Sequence, residues 1–194
     1  MRDNRYSIRP ARKSDCRRIA ELYRISSDGV ADYIWTKLAQ PGDDLLDVGR
    51  RRYEREGIPF SYQNCKLVEI DGEIAGMLVA FRMEVDPTYE EEDPVLMPYS
   101  KLEEDHSYYI CGMAVEAQHR RKGIGAGLLA EAERACRQLD LGKLSLIVFE
   151  QNAGAKRLYE RWGYVEKARH QVVAHPLIRY TGDALLMVKH FEAK

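Results

Sequence analysis

Residues 108–129 read YYICGMAVEAQHRRKGIGAGLL, and the character of the chain changes twice along them. The apolar run 108–115 has the length of a buried strand and lacks the three- and four-residue spacing of a helix. A basic segment, 118–122, follows, and glycines then alternate with other residues over 123–127. Beyond this turn, apolar residues recur at the spacing of an amphipathic helix: Ile124, Leu128, Ala132, Ala135 and Leu139.

The order of strand, basic glycine turn and helix predicts an anion-binding site. The first N–H groups of a helix lack acceptors within the helix, and the helix dipole adds partial positive charge there. The amides of residues 121–126 and the side chains of Arg120, Arg121 and Lys122 are the expected donors. We therefore expect a compound that carries phosphates.

Two common phosphate-binding patterns are excluded by particular residues. A P-loop ends in Gly-Lys-Ser or Gly-Lys-Thr, and its hydroxyl group binds magnesium. Here Lys122-Gly123 is followed by Ile124, which has no hydroxyl group. The dinucleotide fingerprint requires a third glycine where this chain has Leu128, and no acidic ribose partner is evident about twenty residues on. A nucleotide-binding switch is accordingly disfavoured.

The remaining pattern, Arg120-x-x-Gly123-x-Gly125 after Met113-Ala114-Val115, resembles the central motif of the GCN5-related N-acetyltransferase (GNAT) family. A second stretch is similar to that family's other signature: Asn152-x-x-Ala155-x-x-Leu158-Tyr159-x-x-x-Gly163-Tyr164. The chain departs from the commonest family pattern at Ala117, where proline is frequent, and at Arg121, where glycine is frequent. The two motifs lie between Met113 and Tyr164.

The resemblance implies an α/β fold in one N-acetyltransferase domain over residues 1–194. Its mixed central sheet would be splayed at the cofactor site and flanked by helices on both faces. The helical segment 31–60 would line the acceptor groove, with Tyr33, Trp35 and Tyr53 either as groove walls or as core. The acidic loop 86–106 would either draw a cationic amine or be a solvated loop.

The resemblance also implies acetyl-coenzyme A (acetyl-CoA) as co-substrate, without a metal. Tyr159 would be the general acid toward the departing sulfur, and Glu104 is the first candidate for the general base, with Asp105, His106 or a water chain as alternatives. Backbone groups at Met113 and Val115 would pair with pantetheine. The expected cofactor-binding residues are Met113, Ala114, Val115, Arg120, Arg121, Lys122, Gly123, Ile124, Gly125, Ala126, Asn152, Ala155 and Tyr159.

Composition sets the remaining expectations. A net charge of −1 argues against a nucleic-acid partner, and no apolar stretch suggests a signal peptide or a membrane span. Four widely spaced cysteines suggest reduced, mostly buried thiols in a cytoplasmic protein. The expected acceptor is a small-molecule amine or a peptide, and the C-terminal hairpin would suit a homodimer edge. A coenzyme A (CoA)-binding sensor without catalysis is the alternative function.

Local signals predict several element ends. Asp43 or Asp44 would cap a helix, Asp71-Gly72 would form a hairpin turn, and Gly142 would end the helix that follows the glycine turn.

Overall fold

The structure is a computed structural model, and it describes residues 6–191. The described strands are β1 (Ser7–Pro10), β2 (Cys65–Ile70), β3 (Glu73–Arg82), β4 (Tyr108–Val115), β5 (Lys143–Phe149), β6 (Val165–Gln171) and β7 (Asp183–His190). The described helices are α1 (Cys16–Ser26), α2 (Val30–Leu38), α3 (Leu45–Tyr53), α4 (Met97–Ser100), α5 (Ile124–Gln138) and α6 (Ala153–Arg161).

The strands form one mixed sheet of seven, in the order β1-β2-β3-β4-β5-β7-β6. Strands β4 and β5 are parallel, whereas β1 with β2, β2 with β3, β5 with β7 and β6 with β7 are antiparallel. The expected mixed α/β fold class is confirmed. The chain also divides into two compact units, and each is described by itself below.

The first unit comprises the residues up to Ala80 together with Gly112–Ala130. Asp71 and Gly72 both have positive φ, at 52° and 84°, as a two-residue hairpin turn between β2 and β3 requires. The predicted hairpin is therefore confirmed. The Asp44 side chain accepts a hydrogen bond from Leu46 N at 3.3 Å, which confirms one of the two predicted caps for α3.

The helices of the first unit enclose an aromatic core. Trp35 is 1% exposed and Tyr53 is fully buried, and the Tyr23 ring contacts both, with ring centroids 6.4 and 5.6 Å away. A Cβ on Gly49 would lie 2.5 Å from the Trp35 ring, so α3 approaches α2 more closely than any side chain there would allow. Packing of this kind fixes α2 against α3.

The second unit comprises Phe81–Cys111 and the residues from Glu131 onward. Here α5 ends in a left-handed residue, Asp140, at φ 54°. Asp140 N donates to Arg137 O and Leu141 N donates to Cys136 O, at 3.2 and 3.0 Å, the bond pattern of a Schellman motif. The prediction of Gly142 at this position is wrong, because an aspartate tolerates the left-handed conformation well enough to end the helix two residues earlier.

The acidic segment 86–106 is partly core. It contains the one-turn helix α4, and Val95 and Leu102 are 7% and 2% exposed. The carboxylates of Glu90 and Glu92 remain on the exposed side of the segment. A solvated loop therefore describes residues 86–92 but not the part of the segment that contains Val95 and Leu102.

Candidate functional site

Strand β4 presents alternate residues to opposite sides. Ile110, Gly112 and Ala114 are buried, whereas Met113 and Val115 are half-buried. Its pairing with β5 runs over three residue pairs and ends at Ile110 and Leu146, although β4 continues to Val115.

Two glycines hold β4 in place by admitting no side chain. A Cβ on Gly76 of β3 would lie 2.7 Å from the Ala114 carbonyl oxygen, and a Cβ on Gly112 would lie 2.8 Å from the Tyr23 ring. Real Cβ atoms do not approach other atoms that closely. Neighbouring backbone and α1 therefore fix the last residues of β4 from two directions.

The turn after β4 has the backbone of an anion site. A 3-10 turn over Ala117–His119 leads into it. Arg121 and Gly123 then adopt positive φ, at 61° and 83°, and α5 begins at Ile124. Left-handed residues alternating with others bring successive N–H groups to face a common point, which is a known way of holding anions. The predicted turn and helix start therefore coincide with the basic glycine segment.

The three basic side chains of the turn differ in their contacts. Arg120 Nε donates to the carbonyl of Val115 at 3.0 Å, so this guanidinium ties the turn back to the end of β4. Lys122 Nζ lies 3.5 Å from His119 Nδ1. Arg121 and Lys122 are exposed. Arg120 is thus an organiser of the turn as well as a source of positive charge, and the other two are better placed to meet a ligand.

The second motif forms α6 and both of its ends. Asn152 is the N-cap residue, and its Oδ1 accepts from Ala155 N at 3.3 Å. Gly163 has φ 85°, and Tyr164 N donates to Tyr159 O at 3.1 Å, as in a Schellman motif. The expected cofactor residues Asn152 and Ala155 therefore interact with each other, and they build the start of a helix.

Tyr159 and Tyr164 form a buried aromatic pair. They are 8% and 2% exposed, and their ring centroids lie 5.8 Å apart. Within residues 6–191, the Tyr164 hydroxyl has no hydrogen-bond partner, and burial raises its pKa well above the ordinary value. Contact between these two side chains is the apolar contact that often accompanies a Schellman helix end.

Glu104 occupies a buried ion-pair cluster. Its carboxylate is 6% exposed, one oxygen accepts from Lys143 Nζ, and the other accepts from Lys167 Nζ at 2.6 Å. Burial alone would raise the pKa of Glu104, but the two lysines outweigh it and hold the pKa below its usual value. A carboxylate with both oxygens engaged and a low pKa is poorly suited to accept a proton from an ammonium group.

The alternative bases are also accounted for. Asp105 Oδ1 accepts from Val85 N at 2.9 Å, and this bond, as the largest cause, lowers the pKa of Asp105. The His106 side chain is 69% exposed and lies 3.3 Å from Asp105. Neither has the environment of a buried, activated base.

Comparison with known proteins decides the family. The family model described as the acetyltransferase (GNAT) family matches residues 11–164. The chain belongs to this family. Membership confirms the predicted resemblance and the predicted class of enzyme, an acyltransferase, and it supports acetyl-CoA as the co-substrate.

One curated relative is the uncharacterized protein YxbD of Bacillus subtilis (strain 168), with 31% identity over 93 residues. That match covers 41% of this chain and 58% of YxbD.

Several solved structures share the fold of this acetyltransferase. An N-acetyltransferase from Staphylococcus aureus Mu50 has a TM-score of 0.67 and 21% identity, covering 94% of this chain and 99% of that one. A GNAT family acetyltransferase from Elizabethkingia anophelis with acetyl-CoA bound has a TM-score of 0.59 and 16% identity, covering 97% and 100%. The yncA protein from Salmonella typhimurium with its cofactor acetyl-CoA has a TM-score of 0.62 and 19% identity, covering 97% and 95%.

The three aromatic residues that were expected either as groove walls or as core differ in their burial. Trp35 and Tyr53 are core rather than groove walls. Tyr33 is half-buried, with Lys37 Nζ 5.5 Å from its ring centroid. Two arginines of α3 form ion pairs with nearby carboxylates. Arg50 pairs with Glu54 at 2.6 Å, and Arg51 pairs with Asp43 at 2.5 Å.

Two of the four cysteines are not suited to nucleophilic chemistry. All four cysteines are free, and burial raises the pKa of Cys16 and of Cys136 to about 11, so these two thiols are poor nucleophiles. In the described part of the chain, no group of three or more His, Cys, Asp or Glu side chains could hold a metal ion. Between residues 6 and 191, no helix has the length and apolar character needed to cross a membrane.

No local pattern predicts the ion pair that lies at the entrance to the turn. Glu116, the residue after β4, pairs with Arg18 of α1, which is 98 positions away in the chain. Neither residue belongs to a motif, and helical periodicity places Arg18 merely outside the apolar stripe of α1. A contact between elements so distant in sequence leaves no local pattern.

Proposed function

We propose that this protein transfers the acetyl group of acetyl-CoA to a primary amine of a small molecule or a peptide. The amine would attack directly in a complex that contains both substrates. The observation that carries this proposal is the turn after β4, which combines two left-handed residues, two exposed cations and the start of α5. Family membership and the acetyl-CoA in two structures of the same fold support it.

The cofactor would be held mainly by backbone. Its pyrophosphate would accept hydrogen bonds from the amides of residues 121–126, with Arg121 and Lys122 adding positive charge. The amides of pantetheine would pair with backbone groups at Met113 and Val115. Pairing of this kind explains why the position of β4 is fixed so tightly by Gly76 and Gly112.

The chemical step needs two proton transfers. The neutral amine nitrogen attacks the thioester carbon, a C–N bond forms, and the C–S bond breaks. The nitrogen loses one proton, and the departing sulfur gains one, which we assign to the Tyr159 hydroxyl. Because both oxygens of Glu104 are engaged by lysines, we assign removal of the amine proton to water rather than to Glu104.

The acceptor, location and assembly are further parts of the proposal. A small amine is favoured by the exposed carboxylates of Glu90 and Glu92, which would attract a cation. A cytoplasmic location and the absence of a nucleic-acid partner remain predictions. The outer strand β6 has a register shift between Glu166 and Ala168 and carries Lys167 and Arg169. Bulges and basic residues are features by which edge strands avoid pairing, so we do not place a homodimer interface there.

The experiment that tests the proposal is thermal unfolding with acetyl-CoA, free CoA, ATP or NAD. A ligand at about a hundred times its dissociation constant adds roughly 2.7 kcal/mol to the free energy of unfolding. For a chain of this size, the melting temperature should rise by about 5 to 10 °C. We expect this rise with acetyl-CoA and CoA, and not with ATP or NAD.

Release of free thiol in the presence of a panel of amines then separates enzyme from sensor. Release with at least one amine supports the transferase. Stabilisation by acetyl-CoA without thiol release from any amine or peptide would favour the alternative of a catalytically silent CoA-binding module. No stabilisation by either form of CoA would contradict both.

A further inference from the structure

The guanidinium of Arg18 joins three elements of the first unit. Its Nη1 donates to Glu21 on the same helix at 2.9 Å, and its Nη2 donates to the carbonyl of Ile74 on β3 at 3.0 Å and to the carboxylate of Glu116. The Arg18 and Glu116 side chains are 30% and 19% exposed. The ion pair is therefore partly withdrawn from water, where charges are screened less than on an open surface.

Glu116 stands at the entrance to the anion turn. The N–H of Glu116, the first after β4, donates to the carbonyl of Ala75 at 2.9 Å. The carbonyl of Glu116 accepts from His119 N at 2.9 Å, where the 3-10 turn begins. The left-handed residue Arg121 follows two positions after that turn. A negative charge on the Glu116 side chain would disfavour a phosphate bound at the turn, because like charges repel each other.

We propose that Arg18 is a positioning residue for the cofactor, and that it acts by neutralising Glu116 at the entrance to the turn. The inference rests on the proposed function of the turn as the site for the phosphates of CoA. With Arg18 in place, Glu116 can anchor the end of β4 without opposing the ligand. Without Arg18, the half-buried carboxylate would be uncompensated beside the bound phosphates.

The adjacent Arg17 provides a matched control. It lies on the same helix and carries the same charge, but it is 49% exposed and pairs with Asp47 at 2.9 Å and Asp44 at 3.5 Å. Asp44 and Asp47 lie at the start of α3, and a third partner, Glu21 at 4.0 Å, lies on α1, so none of the three belongs to the turn. Loss of Arg17 changes the net charge of the protein as loss of Arg18 does, while leaving Glu116 neutralised.

The test is titration calorimetry of CoA against five variants: Arg18→Met, Glu116→Gln, the double variant, Arg17→Met and Arg18→Lys. We expect Arg18→Met to weaken CoA binding by about tenfold, the effect of roughly 1.4 kcal/mol. Glu116→Gln, Arg17→Met and Arg18→Lys should each stay within about twofold of the wild-type dissociation constant, well under that difference. The double variant should recover wild-type affinity to within about threefold, because the carboxylate at the entrance to the turn is removed together with its partner.

Recovery in the double variant is the result that a merely structural role would not produce. If the double variant binds CoA as weakly as Arg18→Met, or if Arg18→Met binds like wild type, the proposal is overturned. Urea unfolding of each variant shows whether it is folded, and Arg18→Lys tests the charge even where Arg18→Met does not fold. Wild-type protein that fails to bind CoA contradicts the proposed function itself, which makes the two failures distinguishable.

Discussion

The turn after β4 and the helix α6 both match family motifs, but their residues do different work. In the turn, Arg121 and Gly123 are left-handed and the cations are exposed, which is an arrangement that a fold does not need for its own stability. In α6, Asn152 caps the first turn, and Gly163 ends the helix in a left-handed conformation. The first motif thus has the features that our proposal assigns to ligand binding, whereas most of the second is explained by the construction of a helix.

This difference changes how the second motif supports function. Asn152, Ala155 and Gly163 together build the two ends of a capped helix, and a match at these residues does not by itself identify cofactor contacts. Within the motif, Tyr159 is the residue to which we assign a proton transfer, and its ring packs against Tyr164. The predictions below test this division.

Tyr159→Phe should have the largest effect. If the hydroxyl protonates the departing sulfur, kcat should fall by about 100-fold or more, within the range of general-acid contributions. The dissociation constant for acetyl-CoA should stay within about twofold, since the substitution keeps the ring and removes no phosphate contact. Steady-state kinetics with the amine found in the thiol-release screen measures the first, and calorimetry measures the second.

Tyr164→Phe is the matched control for that variant. It makes the same chemical change in the same motif, at a ring that is also buried. Because the Tyr164 hydroxyl has no hydrogen-bond partner within residues 6–191, its removal should leave kcat unchanged and keep or raise the free energy of unfolding. Equal losses of kcat in the two variants would assign Tyr159 to packing and would contradict its role as general acid.

Gly163→Ala should lower stability without changing the cofactor site. The residue has φ 85°, and a side chain in that conformation costs about 1–2 kcal/mol of the free energy of unfolding. Affinity for CoA should be unaltered. Denaturant unfolding and calorimetry are the two measurements, and a large loss of CoA affinity in folded protein would show that the helix end has a direct part in the site.

The same substitution earlier in α6 should have the opposite sign. Gly154 lies in the first turn of the helix, and a Cβ there would meet nothing within 4 Å. Gly154→Ala should therefore raise the free energy of unfolding by about 0.4–1 kcal/mol, chiefly by restricting the unfolded chain. If both alanine variants are destabilised equally, the left-handed conformation at Gly163 is not the cause.

Asn152 can be tested for capping against cofactor binding. Asn152→Ala should cost about 1 kcal/mol of the free energy of unfolding, because Ala155 N loses its acceptor. Asn152→Asp should retain that stability, since aspartate caps helices equally well and its charge suits the helix dipole. If Asn152→Asp keeps stability but loses CoA affinity, the amide has a cofactor contact besides its capping role.

Local chemistry explains which features the sequence predicted well. The β2–β3 hairpin follows from Asp71-Gly72, because few dipeptides accept two left-handed residues in succession. The cap at Asp44 and the helix start at Ile124 are likewise set by residues within a few positions. Such signals are complete in the sequence, so their predictions were confirmed.

Long-range contacts explain what the sequence could not predict. Glu104 was the first candidate for the base by its place before β4, but its lysine partners lie 39 and 63 positions away and leave no local pattern. The sequence predicted a helical segment over 31–60, yet it could not show that Trp35 and Tyr53 both pack against Tyr23 of α1 in the core. Whether a side chain is buried depends on the helix or strand that packs against it, and local sequence patterns do not show which one that is.

Arg121→Gly should have the smallest effects, in opposite directions. Arg121 has φ 61°, where a glycine would be unstrained, so the free energy of unfolding should rise by up to about 1 kcal/mol after allowing for the freer unfolded chain. Affinity for CoA should fall by up to about fivefold, since an exposed charge contact contributes at most about 1 kcal/mol. Denaturant unfolding and calorimetry measure the two changes.

Lys122→Gln separates the two effects. It removes the same charge from the same turn at a residue that is exposed and is not left-handed. CoA affinity should fall as in Arg121→Gly, but the free energy of unfolding should not rise. That pair of results would mean that an arginine in a strained conformation is retained at position 121 for its charge. Unchanged affinity in both variants would instead mean that backbone groups alone bind the phosphates. The two motifs would then differ in their main-chain geometry and not in the use of charged side chains.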